Sequence, residues 1–210
     1  MRKEAAKREI KQERAARTRV DILDAAINLF ARRGILATTM SELAKAIKMT
    51  PGALYWHFPT KEDILLAAIE ALNERYMREF TELLTEGRRL TATQQLQGFF
   101  DRTQQFLRYH RQYGIFFGMV AAEAAEGHER VAGALREALQ MYATVLSGII
   151  RYGQEKTGEF RKDVDPNVEA HALLAAYMGA VTYQNLFRNE LQYDPLVAAL
   201  DKLTQAGLKA

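Results

Sequence analysis

The side chains with the clearest chemical purpose lie between Thr39 and Lys61, in the run TMSELAKAIKMTPGALYWHFPTK. The hydroxyls of Thr39 and Tyr55, the ammonium groups of Lys48 and Lys61 and the imidazole of His57 are the kind of donors that hold phosphate oxygens. Between them Pro51, Gly52 and Ala53 are small enough to let a backbone approach a groove floor, and Trp56 offers a flat apolar face. That chemistry is recognition of a polyanion, not bond making. Covalent chemistry finds little material elsewhere. The chain has no cysteine, which removes thiol nucleophiles, disulfides and zinc–thiolate sites. It shows no Gly-x-Ser-x-Gly, no phosphate-cradling glycine run and no Glu-x-x-His pair of the di-iron type. The histidines at 57, 110, 128 and 171 are scattered rather than at ligand spacing. These features argue against an enzyme and against a metal or organic cofactor.

Charge supports the same reading. Net charge is only +3, but residues 1–60 hold 12 Lys/Arg against 6 Asp/Glu, and the remainder holds 17 against 20. A basic first third on a slightly acidic body suggests a polyanionic partner for that third alone. The longest apolar run, Ile115 to Ala122, has eight residues. A membrane span needs about 18, so a soluble protein with no membrane partner is expected, compatible with a reducing cytoplasm.

The elements that must position these groups are helices. Prolines fall only at 51, 59, 166 and 195, long stretches of good helix formers lie between them, and no segment alternates like a strand. The fold class expected is all-α, with helices near 18–33, 40–47, 51–57, 61–86, 92–111, 114–126, 128–156, 166–188 and 195–208. Thr39-Met40-Ser41-Glu42 reads as a capping box, Thr50-Pro51 as the start of a short helix and Gly34 as a C-terminal cap. Two helices joined by about three residues, the second opening on small residues, have the layout of a helix-turn-helix. Residues 1–17 form either a basic N-terminal arm or an extension of the first helix, because Glu4/Arg8 and Glu13/Arg17 sit at i,i+4 spacing.

From Val20 to Glu70 the chain resembles the N-terminal module of TetR-family transcriptional regulators. The resemblance rests on ILDAAINLFARRG, TTMSELAKAI, the TPGALYWHF run with its Tyr-x-His-Phe-x-x-Lys signature, and KEDILLAAIE. It implies an N-terminal three-helix helix-turn-helix DNA-binding domain over 18–65, with a C-terminal helical ligand-binding and dimerisation domain over 66–210. It also implies that Thr39, Tyr55, His57 and Lys61 hold the backbone of a double-stranded DNA operator, while Thr50, Pro51, Gly52, Ala53 and Trp56 lie toward the bases. With no Arg or Asn on the short helix, sequence choice leans on thymine methyls and DNA shape. One departure stands out. The family's usual turn glycine is Lys48 here, where a left-handed backbone would cost roughly 1 kcal/mol unless the turn differs or Lys48 meets a phosphate.

By layout alone, the rest of the chain suits the family's effector domain. Aromatic, methionine and aliphatic residues recur on successive helices, and Phe99, Phe106, Tyr109, Phe116, Met119, Val120, Tyr142, Leu146, Tyr177 and Gln184 are the expected lining of a pocket for a small hydrophobic effector. Arg108, His110, Glu123, His171 and Gln184 are polar candidates to orient it. Ala172, Ala175, Ala176, Gly179 and Ala180, with Val197, Leu200 and Leu203, suit a homodimer interface. A cytoplasmic dimeric repressor released by an effector is the expected function. The alternative is a DNA-binding protein without a small ligand, governed by a protein partner or acting architecturally. A third reading, a helical interaction protein binding an acidic surface, is disfavoured by the YWHF segment.

Overall fold

A computed structural model describes the backbone of residues 2–86, 89–187 and 193–210, and their side chains except those of 2–11, 81–86, 185 and 193. The helices are α1 Arg2–Arg33, α2 Met40–Ala46, α3 Pro51–His57, α4 Lys61–Glu86, α5 Ala92–Tyr109, α6 Arg111–Ala124, α7 Glu129–Tyr152, α8 Pro166–Phe187 and α9 Tyr193–Leu208. The expected helix end at 188 lies outside the described residues.

The first three helices and the start of α4 enclose a small core. Ile22, Ala26, Ile27 and Phe30 of α1 meet Leu43 and Ala44 of α2, Leu54 of α3, Phe58, and Ile64, Leu65 and Ala68 of α4, all buried. Burial of each large side chain contributes roughly 1.5–3 kcal/mol, enough to hold two seven-residue helices that would not persist alone. Helix α4 then runs unbroken through the 65/66 boundary, and its Leu72, Tyr76 and Phe80 continue the same core against α5 and α7. Helix α6 lies against α1 on one side and α8 on the other.

Three boundaries differ from the sequence reading. Helix α1 begins at Arg2 rather than near 18, so residues 2–17 extend it; the Glu4/Arg8 pair lies among side chains not described. The break between α5 and α6 falls at His110, not at 112–113 between the expected helices. Gly114 sits inside α6, where a Cβ would stand 2.8 Å from Val181 Cγ1, so it marks a close approach of α6 to α8 rather than a helix stop. Helix α7 ends at Tyr152 in a π turn over Gly153–Thr157. There Phe160 folds over Gly153, whose own Cβ would stand 2.1 Å from the ring.

The segment after that turn ties the far end together. Arg161 N–H donates to Leu208 O at 2.9 Å and Ala210 N–H to Glu159 O at 3.1 Å. The Glu159 carboxylate in turn accepts from the Ala92 and Thr93 amides at 2.8 and 3.0 Å, capping the start of α5. Burial tends to raise its pKa, but hydrogen bonds from the Thr157 and Thr93 side chains and from these amides prevail and hold it at about 2.

Candidate nucleic-acid interface and interior cavity

Local rules build the exposed end. Thr39 caps α2: its hydroxyl accepts from Glu42 N–H at 3.2 Å while Glu42 Oε2 accepts from Thr39 N–H at 3.0 Å. The helix stops in a Schellman motif, with Met49 N–H donating to Ala44 O at 2.9 Å and Lys48 N–H to Lys45 O at 3.2 Å. This motif needs a left-handed residue, and Lys48 takes that role with φ 55°, the one positive-φ residue besides glycine among those described. Thr50 then caps α3 by accepting from Ala53 N–H at 3.2 Å, with Pro51 in the first turn.

On α3 the buried Leu54 and the following Phe58 hold the helix down and turn the opposite face outward. Tyr55 and Trp56 remain 50% and 73% exposed, large values for aromatic side chains. Half-buried His57 lies edge-on to Trp56, ring centres 4.8 Å apart, and the Arg19 guanidinium covers the Phe58 ring at 4.3 Å. Thr39, Lys48, Thr50, Pro51 and Gly52 are also exposed, and Ala53 is half-buried.

Lys61 sits differently from the other site residues. Its ammonium group donates to Ile35 O at 2.5 Å and Thr38 O at 2.9 Å, carbonyls of the turn after α1. A cation in the first turn of a helix opposes the helix dipole, and these carbonyls account for it within the protein without a phosphate. The same turn is held from the other side by Glu123 on α6. Its Oε2 accepts from Ile35 N–H at 2.7 Å and Leu36 N–H at 2.9 Å. Gly34, at φ 78°, makes room: a Cβ there would lie 1.8 Å from Glu123 Oε1. Glu123 is therefore a clasp between α6 and the α1–α2 turn rather than a pocket residue.

Between α4, α5, α6, α7 and α8 lies an almost wholly apolar cavity of about 100 Å³. Of the expected lining, Phe99, Phe106, Tyr142, Leu146 and Tyr177 reach its wall. Tyr109, Met119, Phe116, Val120 and Gln184 do not. Tyr109 is 72% and Met119 38% exposed; Phe116 and Val120 are buried outside the wall, Phe116 with its ring 6.3 Å from Phe30 of α1. A helix of this kind has two buried faces, and hydrophobicity alone does not say which neighbour each one meets. Of the polar candidates, Arg108 pairs with Asp194 at 2.9 Å, His110 stacks on Tyr113 at 4.7 Å and His171 is exposed. None of the five lines the cavity.

Four tyrosines do line it, and Tyr76 and Tyr113 were missed in sequence. The row Leu72, Tyr76, Phe80 at i,i+4 on α4 was the legible signal for Tyr76. The Tyr76 and Thr103 hydroxyls are hydrogen-bonded to each other at 2.8 Å, and the Thr103 hydroxyl also lies 2.9 Å from Phe99 O. Tyr177 donates to buried Asp201 of α9, whose pKa is raised mainly by burial. The Tyr113 hydroxyl accepts from Arg75, which also reaches Asp24 of α1 at 2.7 Å. The Tyr142 hydroxyl bonds to no protein group among the described residues, although the residue is only 7% exposed. Its phenol pKa is pushed far up by burial alone.

The outer faces of α8 and α9 are unusually apolar. Val168, Ala172, Ala175, Gly179, Tyr183 and Leu186 follow one another at helical spacing on α8 and are exposed, as is Leu203 on α9. Val197, expected on this face, is fully buried against the core, and Ala180 also points inward.

Comparison with known proteins fits this architecture. Residues 22–68 match the bacterial regulatory proteins of the tetR family, and residues 92–200 match the tetracyclin repressor-like C-terminal domain. The HTH-type transcriptional regulator AcrR of Shigella flexneri is 46% identical over 72 residues, covering 34% of this chain and 33% of that protein. The chain thus aligns with about a third of that relative's length. The probable acrEF/envCD operon repressor of Escherichia coli (strain K12) is 26% identical over 187 residues, 86% of this chain and 80% of that one. A transcriptional regulator from Saccharomonospora viridis, solved in complex with choline, shares the fold with a TM-score of 0.80 at 23% identity, covering 93% of this chain and 99% of its own. With its helix-turn-helix unit and its C-terminal domain matched in order along the chain, this protein belongs to the TetR family of bacterial regulatory proteins.

Proposed function

We propose that the protein is a cytoplasmic, dimeric transcriptional repressor that leaves its operator when a small, largely apolar effector enters the cavity. The observation that carries the DNA-binding part is the exposed pair Tyr55 and Trp56 on a helix pinned by buried Leu54 and Phe58. Exposing so much aromatic surface beside the caps Thr39 and Thr50 and the charge of Lys48 suits a DNA groove better than bulk water. Thr39, Lys48, Tyr55, His57 and the remaining ammonium proton of Lys61 hold phosphates, while Thr50 to Ala53 and Trp56 face bases. Two copies pack through the apolar faces of α8 and α9 and place two such helices on successive half-sites.

Helix α6 supplies the coupling. It touches the cavity at Tyr113, and through Arg75 that hydroxyl reaches Asp24 of α1. Its other end clasps the α1–α2 turn through Glu123. An effector that shifts α6 therefore acts on both supports of the reading unit, and it releases DNA only insofar as it binds the DNA-incompetent arrangement more tightly. Selection of duplexes from a random pool by the full chain tests the proposal. Two half-sites related by twofold symmetry are the expected product; no enrichment overturns it.

One observation favours a second reading. The cavity, at about 100 Å³, is smaller than the ~300 Å³ at which ligand pockets usually begin. A DNA-binding protein with no small ligand, governed by a protein partner, would need no larger one.

A further inference from the structure

The cavity wall carries no charged side chain and no imidazole; apart from Thr103, its only side-chain polar atoms are four phenol oxygens. Three of these have protein partners: Tyr76 with Thr103, Tyr113 with Arg75, Tyr177 with Asp201. The fourth, on Tyr142, has none, and Asn73 Oδ1 is the one fully enclosed side-chain oxygen without a partner among the described residues. The Tyr142 hydroxyl is therefore not fully enclosed, and its residue, more than nine-tenths buried, lines the void. A hydroxyl withdrawn from water without a partner is unfavourable, and what enters the void decides whether that is repaired.

We propose that Tyr142 Oη is the polar anchor of an effector site, and that the effector class is an uncharged, ring-sized apolar molecule carrying one hydrogen-bonding oxygen. This rests on the effector reading given above. The exclusions follow from the wall. An anion would find no cation, since the Arg75 guanidinium is already engaged by Asp24 and Tyr113. A cation would find aromatic faces but no carboxylate on the wall, because Asp201 stands behind Tyr177 and accepts its hydrogen bond. Size follows from volume. An apolar cavity of about 150 Å³ accepts benzene, and the present one is about 100 Å³, so a ring-sized guest requires some repacking of a wall that includes half-buried Met178. Methionine is suited to such repacking.

The test is calorimetric titration of the full chain, wild type and Tyr142→Phe, with phenol, toluene, benzoate and phenyltrimethylammonium. Phenol and toluene have nearly the same shape and differ in the oxygen. Phenol is expected to lose about five- to tenfold in affinity in Tyr142→Phe while toluene is unchanged or gains. The variant's melting temperature should stay level or rise, because an unpartnered hydroxyl has been removed; a hydroxyl with a structural role would lower it. Equal phenol affinity in the two proteins overturns the anchor while leaving the cavity as an effector site. Tighter binding of benzoate or phenyltrimethylammonium than of phenol overturns the uncharged class. Failure of all four probes to bind or to alter operator affinity overturns the anchor and the effector reading together.

Discussion

The turn between α1 and α2 and the wall of the cavity treat polar atoms in opposite ways. In the turn, Glu123 takes the amides of Ile35 and Leu36, Lys61 serves the carbonyls of Ile35 and Thr38, and the Thr38 hydroxyl reaches Gly34 O at 2.7 Å. In the wall, the buried Tyr142 phenol has no protein partner among the described residues. A region whose buried groups are all satisfied has one favourable arrangement and holds its neighbours in place. A region with an unmet group is open to a guest. Both sit on α6-bearing contacts, so the stiff region can report what the receptive one admits.

The sharpest way to break that contrast is Gly34→Ala. The methyl group would meet Glu123 Oε1 at 1.8 Å and sit on a backbone with φ 78°. Left-handed strain and eviction of a carboxylate holding two amides should together destabilise the chain by about 3 kcal/mol, read by urea unfolding; a loss below about 1 kcal/mol would show that the turn is not the stiff element. Next comes Trp56→Ala on the exposed face. Operator affinity should fall about tenfold or more, whereas stability should move by no more than ~0.5 kcal/mol. Equal changes in both would make Trp56 a packing residue.

Lys48→Gly reaches the same end from the opposite direction. It relieves the left-handed strain at φ 55° and should stabilise the fold by roughly 1 kcal/mol. If Lys48 also holds a phosphate, the salt dependence of operator binding should flatten by about 0.9 in its log–log slope. The smallest effect belongs far from both regions. The Glu159 carboxylate has a folded pKa of about 2 against an ordinary 4.5, so its contribution is complete above pH 4.5 and fades as pH falls toward 2. Allowing for its partial exposure, this is about 1 kcal/mol. Glu159→Gln should remove that component of acid sensitivity in melts between pH 5 and 2.

The two regions were not equally legible. The capping box at Thr39, the second cap at Thr50 and the glycine cap at Gly34 are rules over three to five residues, and each is where the sequence placed it. At Lys48 the sequence showed the departure from glycine but left the turn geometry open, and the structure keeps the left-handed backbone, because the Schellman stop demands it whatever the residue type. The cavity was read only in part. Phe99, Phe106, Tyr142, Leu146 and Tyr177 lie on its wall, but Phe116 and Val120 turn elsewhere and Tyr109 faces water. Apolar character predicts burial without naming the partner helix, and α6, packed between α1 and α8, has partners on two sides. Glu123 looked like a ligand contact because its carboxylate lies in an apolar stretch, and its amides are 87 and 88 residues away in sequence.

What the sequence determined by itself was everything governed by neighbours along the chain: an all-helical class, the starts and stops of α2 and α3, and the exposed aromatic face of α3. Hydrogen bonds over three or four residues and helical periodicity suffice for these. What only the tertiary structure decided was which long-range partner each buried polar group meets. The Lys61 ammonium found carbonyls of the α1–α2 turn, and Glu123 found that turn's amides. Tyr142 found no partner among the described residues, because satisfying a buried hydroxyl depends on how distant helices pack and no local rule encodes it.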